Sequence, residues 1–137
     1  MRKVGIWIDQ KEAHIITLSE NKVYSKTIYS DIETRIRYDG EKKQFGRFGD
    51  QFLVDEKGKK NRIEEYTQRY LMGVLKELKN ADEIVLFGPA QTKSKLEKVI
   101  LNDPGVAPKL KAVKISDNMT QNQKIAYVKD FYKSNKS

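Results

Sequence analysis

The sequence has no cysteine and one histidine, His14, among its 137 residues. Without cysteine the chain forms no disulfide, no thiolate zinc site and no cysteine nucleophile, and a single histidine excludes a histidine-based metal cluster. No run approaches the roughly 18 apolar residues of a membrane span, and the amino terminus lacks the apolar core of a signal peptide. From these absences we expect a cytoplasmic protein that has no cofactor and no membrane association.

Basic residues outnumber acidic residues in this sequence. Lysine and arginine number 27 against 19 acidic residues, which gives a net charge of +8. From residue 91 onward there are ten lysines and four acids, so the surplus is largest in the last third. A basic protein of this kind favours polyanionic partners, although a lysine-rich surface also serves solubility alone.

Alternating apolar residues predict three strands at the start of the chain. Val4, Ile6 and Ile8 fall on one face of the first run, which spans residues 3–9, and further strands are predicted at residues 12–19 and 23–29. Short polar turns separate them, which is typical of an antiparallel meander. Both faces of the first two strands are apolar, so we expect other elements to cover each side.

The remainder of the chain alternates between helix and strand. Apolar residues at three- and four-residue spacing predict an amphipathic helix from about Arg62 to Lys79. A short strand at 83–87, a helix through Leu101, a strand at 109–115 and a helix at about 120–134 follow. The pattern predicts one α/β domain over residues 1–137, with a mixed five-stranded sheet flanked by three helices in a ribonuclease H-like order. In that sheet Val4, Ile6, Ile8, Ile84, Leu86 and Val113 are expected to be buried.

Residues 33–60 lack sustained apolar periodicity, and a connection of that length is typical of a binding loop or an extended hairpin. Basic and aromatic side chains alternate there with Gln51, a mixture that suits phosphates and unstacked bases. The predicted RNA-contacting residues are Arg35, Arg37, Lys43, Phe45, Arg47, Phe48, Gln51, Lys59, Lys60 and Arg62. A solvated hairpin whose phenylalanines pack on the domain or on a second copy is the alternative.

The order of elements and the segment from Glu83 to Leu96 resemble the middle domain of archaeo-eukaryotic class-1 release factors and Pelota. In that domain a strand and a small-residue turn open a helix with a Lys-x-x-Leu pattern, which Lys93 to Leu96 matches. The chain also resembles small bacterial single-domain proteins grouped with translational-machinery and host-attachment proteins. The resemblance implies the release-factor middle-domain fold and a connection with translation.

Release factors carry Gly-Gly-Gln at the tip of the corresponding loop, and the nearest match in this sequence is Gly49-Asp50-Gln51. Asp50 adds a side chain that restricts the backbone, and its negative charge would face an RNA backbone. The departure favours a module that binds without catalysis over an ester hydrolase acting on peptidyl-tRNA.

Three further features bear on other kinds of chemistry, namely metal binding, hydrolysis and phosphate binding. Asp9 ends the first strand, where ribonuclease H-like nucleases hold a metal, and Asp82 and Asp117 are its candidate partners. His14 has no triad signature, and the turn at residues 88–90 could present amides to a phosphate but lacks a glycine-rich pattern. We therefore expect a non-catalytic RNA- or ribosome-binding module. A peptidyl-tRNA esterase and a protein-interaction or homo-oligomeric module are the alternatives.

Overall fold

A computed structural model describes residues 1–32 and 56–134. Within these residues, five strands and three helices follow one another in the predicted order. They are β1 (Lys3–Ile8), β2 (Glu12–Ser19), β3 (Lys22–Tyr29), α1 (Glu56–Leu78), β4 (Glu83–Gly88), α2 (Ala90–Leu101), β5 (Leu110–Ile115) and α3 (Gln121–Ser134). A short 3-10 turn, Ala107–Lys109, precedes β5.

The strands form one sheet in the order β3-β2-β1-β4-β5. The first three pair antiparallel as a meander, while β4 pairs parallel to β1 and β5 pairs parallel to β4. The predicted mixed five-stranded α/β sheet is therefore confirmed. Since β1 is the central strand, side chains at its carboxyl end lie near the ends of β4 and β5.

Helices cover both faces of the sheet. On one face α1 and α2 pack over Ile6, Ile8 and Leu86, and on the other α3 packs over Trp7 and Phe87. The alternation along β1 places Ile6 and Ile8 on the first face and Trp7 on the second, as a pleated strand requires. Both faces of the sheet therefore belong to the core, as the apolar residues on both sides of the first hairpin predicted.

Gly5 and Gly88 allow close approaches that a side chain would block. A Cβ on Gly5 would lie 2.2 Å from a methyl carbon of Val128, so α3 rests directly on the backbone of β1. Gly88 has φ of 135°, and a Cβ there would lie 2.6 Å from the carbonyl oxygen of Ile8. The first glycine fixes how closely α3 approaches the sheet, and the second lets the end of β4 turn beside β1.

Two expectations are corrected. The first helix begins at Glu56 rather than at about Arg62, so residues 56–60 of the predicted loop are helical. Val113 is half-buried, whereas Val4, Ile6, Ile8, Ile84 and Leu86 are buried as predicted. Val113 differs because β5 is an outer strand of the sheet.

The start of α3 forms a capping box. The backbone N–H of Gln123 donates to Oγ1 of Thr120 at 3.2 Å, and the N–H of Thr120 donates to Oε1 of Gln123 at 2.9 Å. This reciprocal pair satisfies donors that the first helical turn leaves without partners.

Candidate nucleic-acid interface

Most of the predicted RNA-contacting residues lie outside the described residues. These are Arg35, Arg37, Lys43, Phe45, Arg47, Phe48 and Gln51, together with Gly49 and Asp50 of the loop motif. Lys59 and Lys60 lie in the first turns of α1, and Arg62 is half-buried on the same helix. These three follow one another along one helix, and their role in RNA binding stays a prediction.

A basic groove lies at the opposite edge of the sheet from the carboxyl ends of the parallel strands. It runs between the β2–β3 turn and the last turns of α3, and its volume is about 490 Å³. Four lysines and one glutamate line it. The charged residues are Lys3, Lys22, Lys129, Lys133 and Glu20, and we call this surface the basic groove.

Local structure explains how the groove forms. Glu20 and Asn21 have φ of 49° and 66° and make a two-residue turn, which directs Lys22 back along β3. Both turn residues have the positive φ that a type I′ hairpin requires, and asparagine tolerates it well. Lys129 and Lys133 are four residues apart on α3 and therefore project from the same side of the helix.

Tyr132 holds the end of α3 against the sheet. Its hydroxyl donates to the carbonyl oxygen of Val4 at 2.6 Å, and the residue is buried. Burial raises the pKa of Tyr132, so its hydroxyl stays protonated at neutral pH. The Lys3 ammonium lies 5.6 Å from the centre of the Tyr132 ring. Tyr132 therefore adds no charge to the groove, and the positive charge of the groove comes from the four lysines.

The structure also shows that the lysine surplus of the last third is not all available at the surface. Lys93 is 5% exposed and Lys124 is 3% exposed. In the sequence, the four-residue spacing of Lys129 and Lys133 on a predicted helix indicates that these two lysines of the groove lie side by side. Lys3 and Lys22 join them only through the pairing of the strands, which no local pattern in the sequence shows.

His14 belongs to a layer of side chains under α3. Its Nδ1 lies 3.3 Å from the hydroxyl of Thr27, and its buried Nε2 lies 3.3 Å from Oε1 of Glu12 without hydrogen-bond alignment. The imidazole packs edge-on against Trp7, with 5.9 Å between the ring centres. These contacts place His14 in the packing between the sheet and α3.

The nuclease hypothesis is wrong about Asp82. Oδ2 of Asp82 accepts from the backbone N–H of Arg2 at 2.7 Å, so Asp82 lies at the amino end of β1, whereas Asp9 follows its carboxyl end. Oδ1 of Asp9 accepts from the N–H groups of Lys11 and Glu12 and closes the turn. Within the described part of the chain, no three histidine or acidic residues form a group suited to a metal ion.

Similarity to known proteins is found at the level of structure, and it is low. No family model matches the sequence, and no curated protein matches it. The structure is similar to the crystal structure of an archaeal translation termination factor, with 10% sequence identity and a TM-score of 0.48. The match covers 97% of this chain and 39% of that one. This chain therefore spans about two fifths of the length of the termination factor.

Among residues 1–32 and 56–134, none of the helices has the length and apolar character needed to cross a bilayer.

Proposed function

We propose that the protein is a non-catalytic, cytoplasmic module that binds RNA or the ribosome in connection with translation. The observation that supports this proposal is the basic groove, where four lysines converge from three separate parts of the chain around one glutamate. Convergent lysines neutralise successive phosphates, and the release of the phosphates' counterions drives association.

The residues that line the groove suit a nucleic-acid backbone rather than an exposed base. Its tyrosine, Tyr132, is 6% exposed and offers its ring to Lys3, so it provides no free stacking surface. Lysines act as point charges without the planar fork of arginine. We therefore expect recognition of phosphates with little dependence on base sequence.

The groove and the segment at 33–55 supply separate parts of the proposed surface. The groove provides lysines from β1, β3 and α3, while the segment carries the remaining predicted contacts, including Arg47 and Phe48. Each part is tested by its own variant.

The experiment measures binding of a fluorescent structured RNA by anisotropy at several salt concentrations. Lys129→Ala/Lys133→Ala should weaken binding at low salt by about tenfold or more. It should also reduce the log–log salt slope by roughly 1.5, because each lost phosphate contact removes about 0.7–0.9. The matched control is Lys76→Ala/Lys98→Ala, which removes two exposed lysines from α1 and α2.

Two outcomes overturn this proposal. Absence of RNA binding at low salt, or a slope near zero, rejects RNA as the partner and leaves a protein-interaction module. Equal weakening by the groove variant and the control shows diffuse attraction without a site. Arg47→Ala/Phe48→Ala measures how much the segment at 33–55 contributes to RNA binding. Turnover of a peptidyl-tRNA analogue that is lost in Gln51→Ala would establish the esterase instead.

A further inference from the structure

The outer edge of β3 has no strand beside it among the described residues. The strand contains no proline, and all eight of its residues pair with β2 in one unbroken register. Proteins commonly protect an edge strand by shortening it, by a bulge or by a proline, and β3 has none of these features. Three of its side chains are large and exposed, namely Val23 (40%), Tyr24 (55%) and Tyr29 (64%). The edge is therefore open to another strand.

The hairpin geometry shows which backbone groups of β3 face the open edge. The two-residue turn at 20–21 makes Ser19 and Lys22 a hydrogen-bonded pair, and such pairs alternate along an antiparallel ladder. The N–H of Ser30 donates to the carbonyl oxygen of Lys11 at 2.9 Å, which continues the same alternation. The even-numbered residues of β3 therefore bond to β2. The N–H and C=O groups that point outward belong to the odd-numbered residues, which are Val23, Ser25, Thr27 and Tyr29.

We propose that β3 pairs antiparallel with β3 of a second copy of this chain, so that a two-fold dimer shares one continuous sheet. In such a pairing one residue lies opposite its own copy, and hydrogen bonds form where outward-pointing residues face each other. Two arrangements then pair nearly the whole strand. One joins residues 22–28 around Ser25, and the other joins residues 23–29 around Lys26.

The lysines of β3 decide between these two arrangements. The arrangement around Lys26 sets that lysine directly opposite its own copy, and like charges in directly opposite positions are destabilising. The arrangement around Ser25 sets Lys26 opposite Tyr24 of the second copy and Lys22 opposite Ile28. An ammonium group is attracted to the face of a tyrosine ring, and the two-fold axis makes this contact twice. The order of residues along β3 is therefore self-complementary around Ser25.

The structure already orients the lysine that this contact needs. Tyr24 and Lys26 are two residues apart and therefore lie on the same face of the sheet, and both are exposed. Nζ of Lys26 lies 2.7 Å from Oε1 of Glu77 on α1. Because Glu77 restrains the Lys26 side chain, less conformational entropy is lost when the second copy binds.

This inference goes beyond RNA binding, although the two surfaces meet. The edge shares Lys22 and Val23 with the basic groove. The lysines of the groove on α3, Lys129 and Lys133, lie outside the proposed pairing. Association of the chain can therefore be tested without RNA and with variants that keep these two lysines.

The first experiment measures the mass of the full chain by sedimentation equilibrium over a wide range of protein concentration, without RNA. The mass should rise from 15.9 kDa toward twice that value. Tyr24→Lys should weaken association by about tenfold or more, because it sets two lysines opposite each other at two symmetric positions. Tyr24→Glu should retain or strengthen association. Tyr29→Lys and Tyr29→Glu make the same charge changes outside residues 22–28 and should differ little from each other.

The second experiment tests the register by cross-linking. The chain has no cysteine, so Ser25→Cys introduces a single thiol on the proposed axis. Directly opposite residues of a hydrogen-bonded pair have Cα atoms about 5.5 Å apart, which is within the range of a disulfide. Oxidation should therefore give a covalent dimer. Thr27→Cys is the matched control, because its two copies would lie roughly 13 Å apart along the strands and should not be bridged.

The third experiment blocks the edge. Ser25→Pro removes an outward N–H that bonds to nothing in β2, as proline at an edge position allows, and should abolish association while urea unfolding shows a folded chain. If Ser25→Pro fails to fold, the comparison of Tyr24→Lys with Tyr24→Glu decides. Lys129→Ala/Lys133→Ala should stay dimeric even where it abolishes RNA binding, so the two proposals fail separately. A chain that is monomeric at every concentration, a dimer that persists in folded Ser25→Pro, or equal cross-linking of Ser25→Cys and Thr27→Cys would overturn the pairing.

Discussion

The ammonium of Lys124 lies 3.7 Å from the centre of the Trp7 ring. Both residues are buried, and the Trp7 indole N–H donates to the carbonyl oxygen of Asp117 at 3.4 Å. The positive charge is therefore stacked on an aromatic face in a layer that also contains His14. Burial lowers the pKa of Lys124, and the carboxylates of Glu12 and Asp9 oppose this effect in part.

This contact gives a prediction for Lys124→Met. Methionine keeps an unbranched apolar stem and removes the cost of burying a charge, while the cation–π attraction that is lost is about 0.5–2 kcal/mol. The free energy of unfolding should therefore change by no more than about 1 kcal/mol. Because Trp7 is the one tryptophan, its fluorescence should titrate below pH 10.5 in the wild type and not in Lys124→Met. A fluorescence titration that persists in the variant would contradict the contact.

Alkaline pH should destabilise the protein through two buried tyrosines. Burial raises the pKa values of Tyr70 and Tyr132 from the ordinary value of 10.0. Above pH 10 the unfolded chain therefore loses protons that the folded chain retains. The free energy of unfolding should fall by about 1.4 kcal/mol per pH unit for each tyrosine, and the full contribution is present below pH 10. Lys124, whose pKa is lowered, acts weakly in the opposite direction.

Urea unfolding between pH 9 and 11.5 measures this slope. Tyr132→Phe should lower the stability at pH 8, because its hydroxyl no longer donates to Val4, and should make the alkaline slope shallower. An unchanged slope would show that Tyr132 does not drive the loss.

Three glycines should respond to alanine in three ways. Gly5→Ala should cost about 1–3 kcal/mol through overpacking, and Val128→Ala in the same chain should recover part of the loss because the contact is with that side chain. Gly88→Ala should not be rescued by a side-chain change, because its neighbour is the Ile8 backbone. Gly73→Ala has open space on α1 and should stabilise by about 0.5–1 kcal/mol. Chemical unfolding gives all three values, and a costly Gly73→Ala would count against this account.

The central and outer strands should tolerate truncation differently. Leu86→Ala on β4 should cost about 2–5 kcal/mol because it opens a cavity in a fully buried site. Val113→Ala on β5 should cost about 1 kcal/mol or less, since the residue is half-buried. Equal losses in urea unfolding would show that β5 is packed as tightly as β4.

The strands of the meander and the mixed sheet could be predicted from the sequence, because alternation with a period of two residues indicates a pleated strand directly. The first turns of α1 were missed because residues 56–60, Glu-Lys-Gly-Lys-Lys, carry no apolar stripe and include a glycine. The incomplete burial of Val113 was missed because alternation shows which face a residue occupies and not whether its strand is outermost.

The site was less predictable than the fold. Helical periodicity places Lys129 beside Lys133. It does not show that Lys3 and Lys22 lie next to them, because that depends on the register of the hairpin and on how α3 packs against the sheet.

The parallel pairing of β1 with β4 has a consequence for synthesis of the chain. As translation proceeds, β1, β2 and β3 are complete at Tyr29, whereas β4, the second neighbour of β1, begins 54 residues later at Glu83. Until β4 emerges, the meander presents an open edge at β1, and Trp7 stays uncovered until α3 has also been added. An open apolar edge is a template for pairing with other chains, so the nascent chain is most exposed to misassembly before Gly88 has been added.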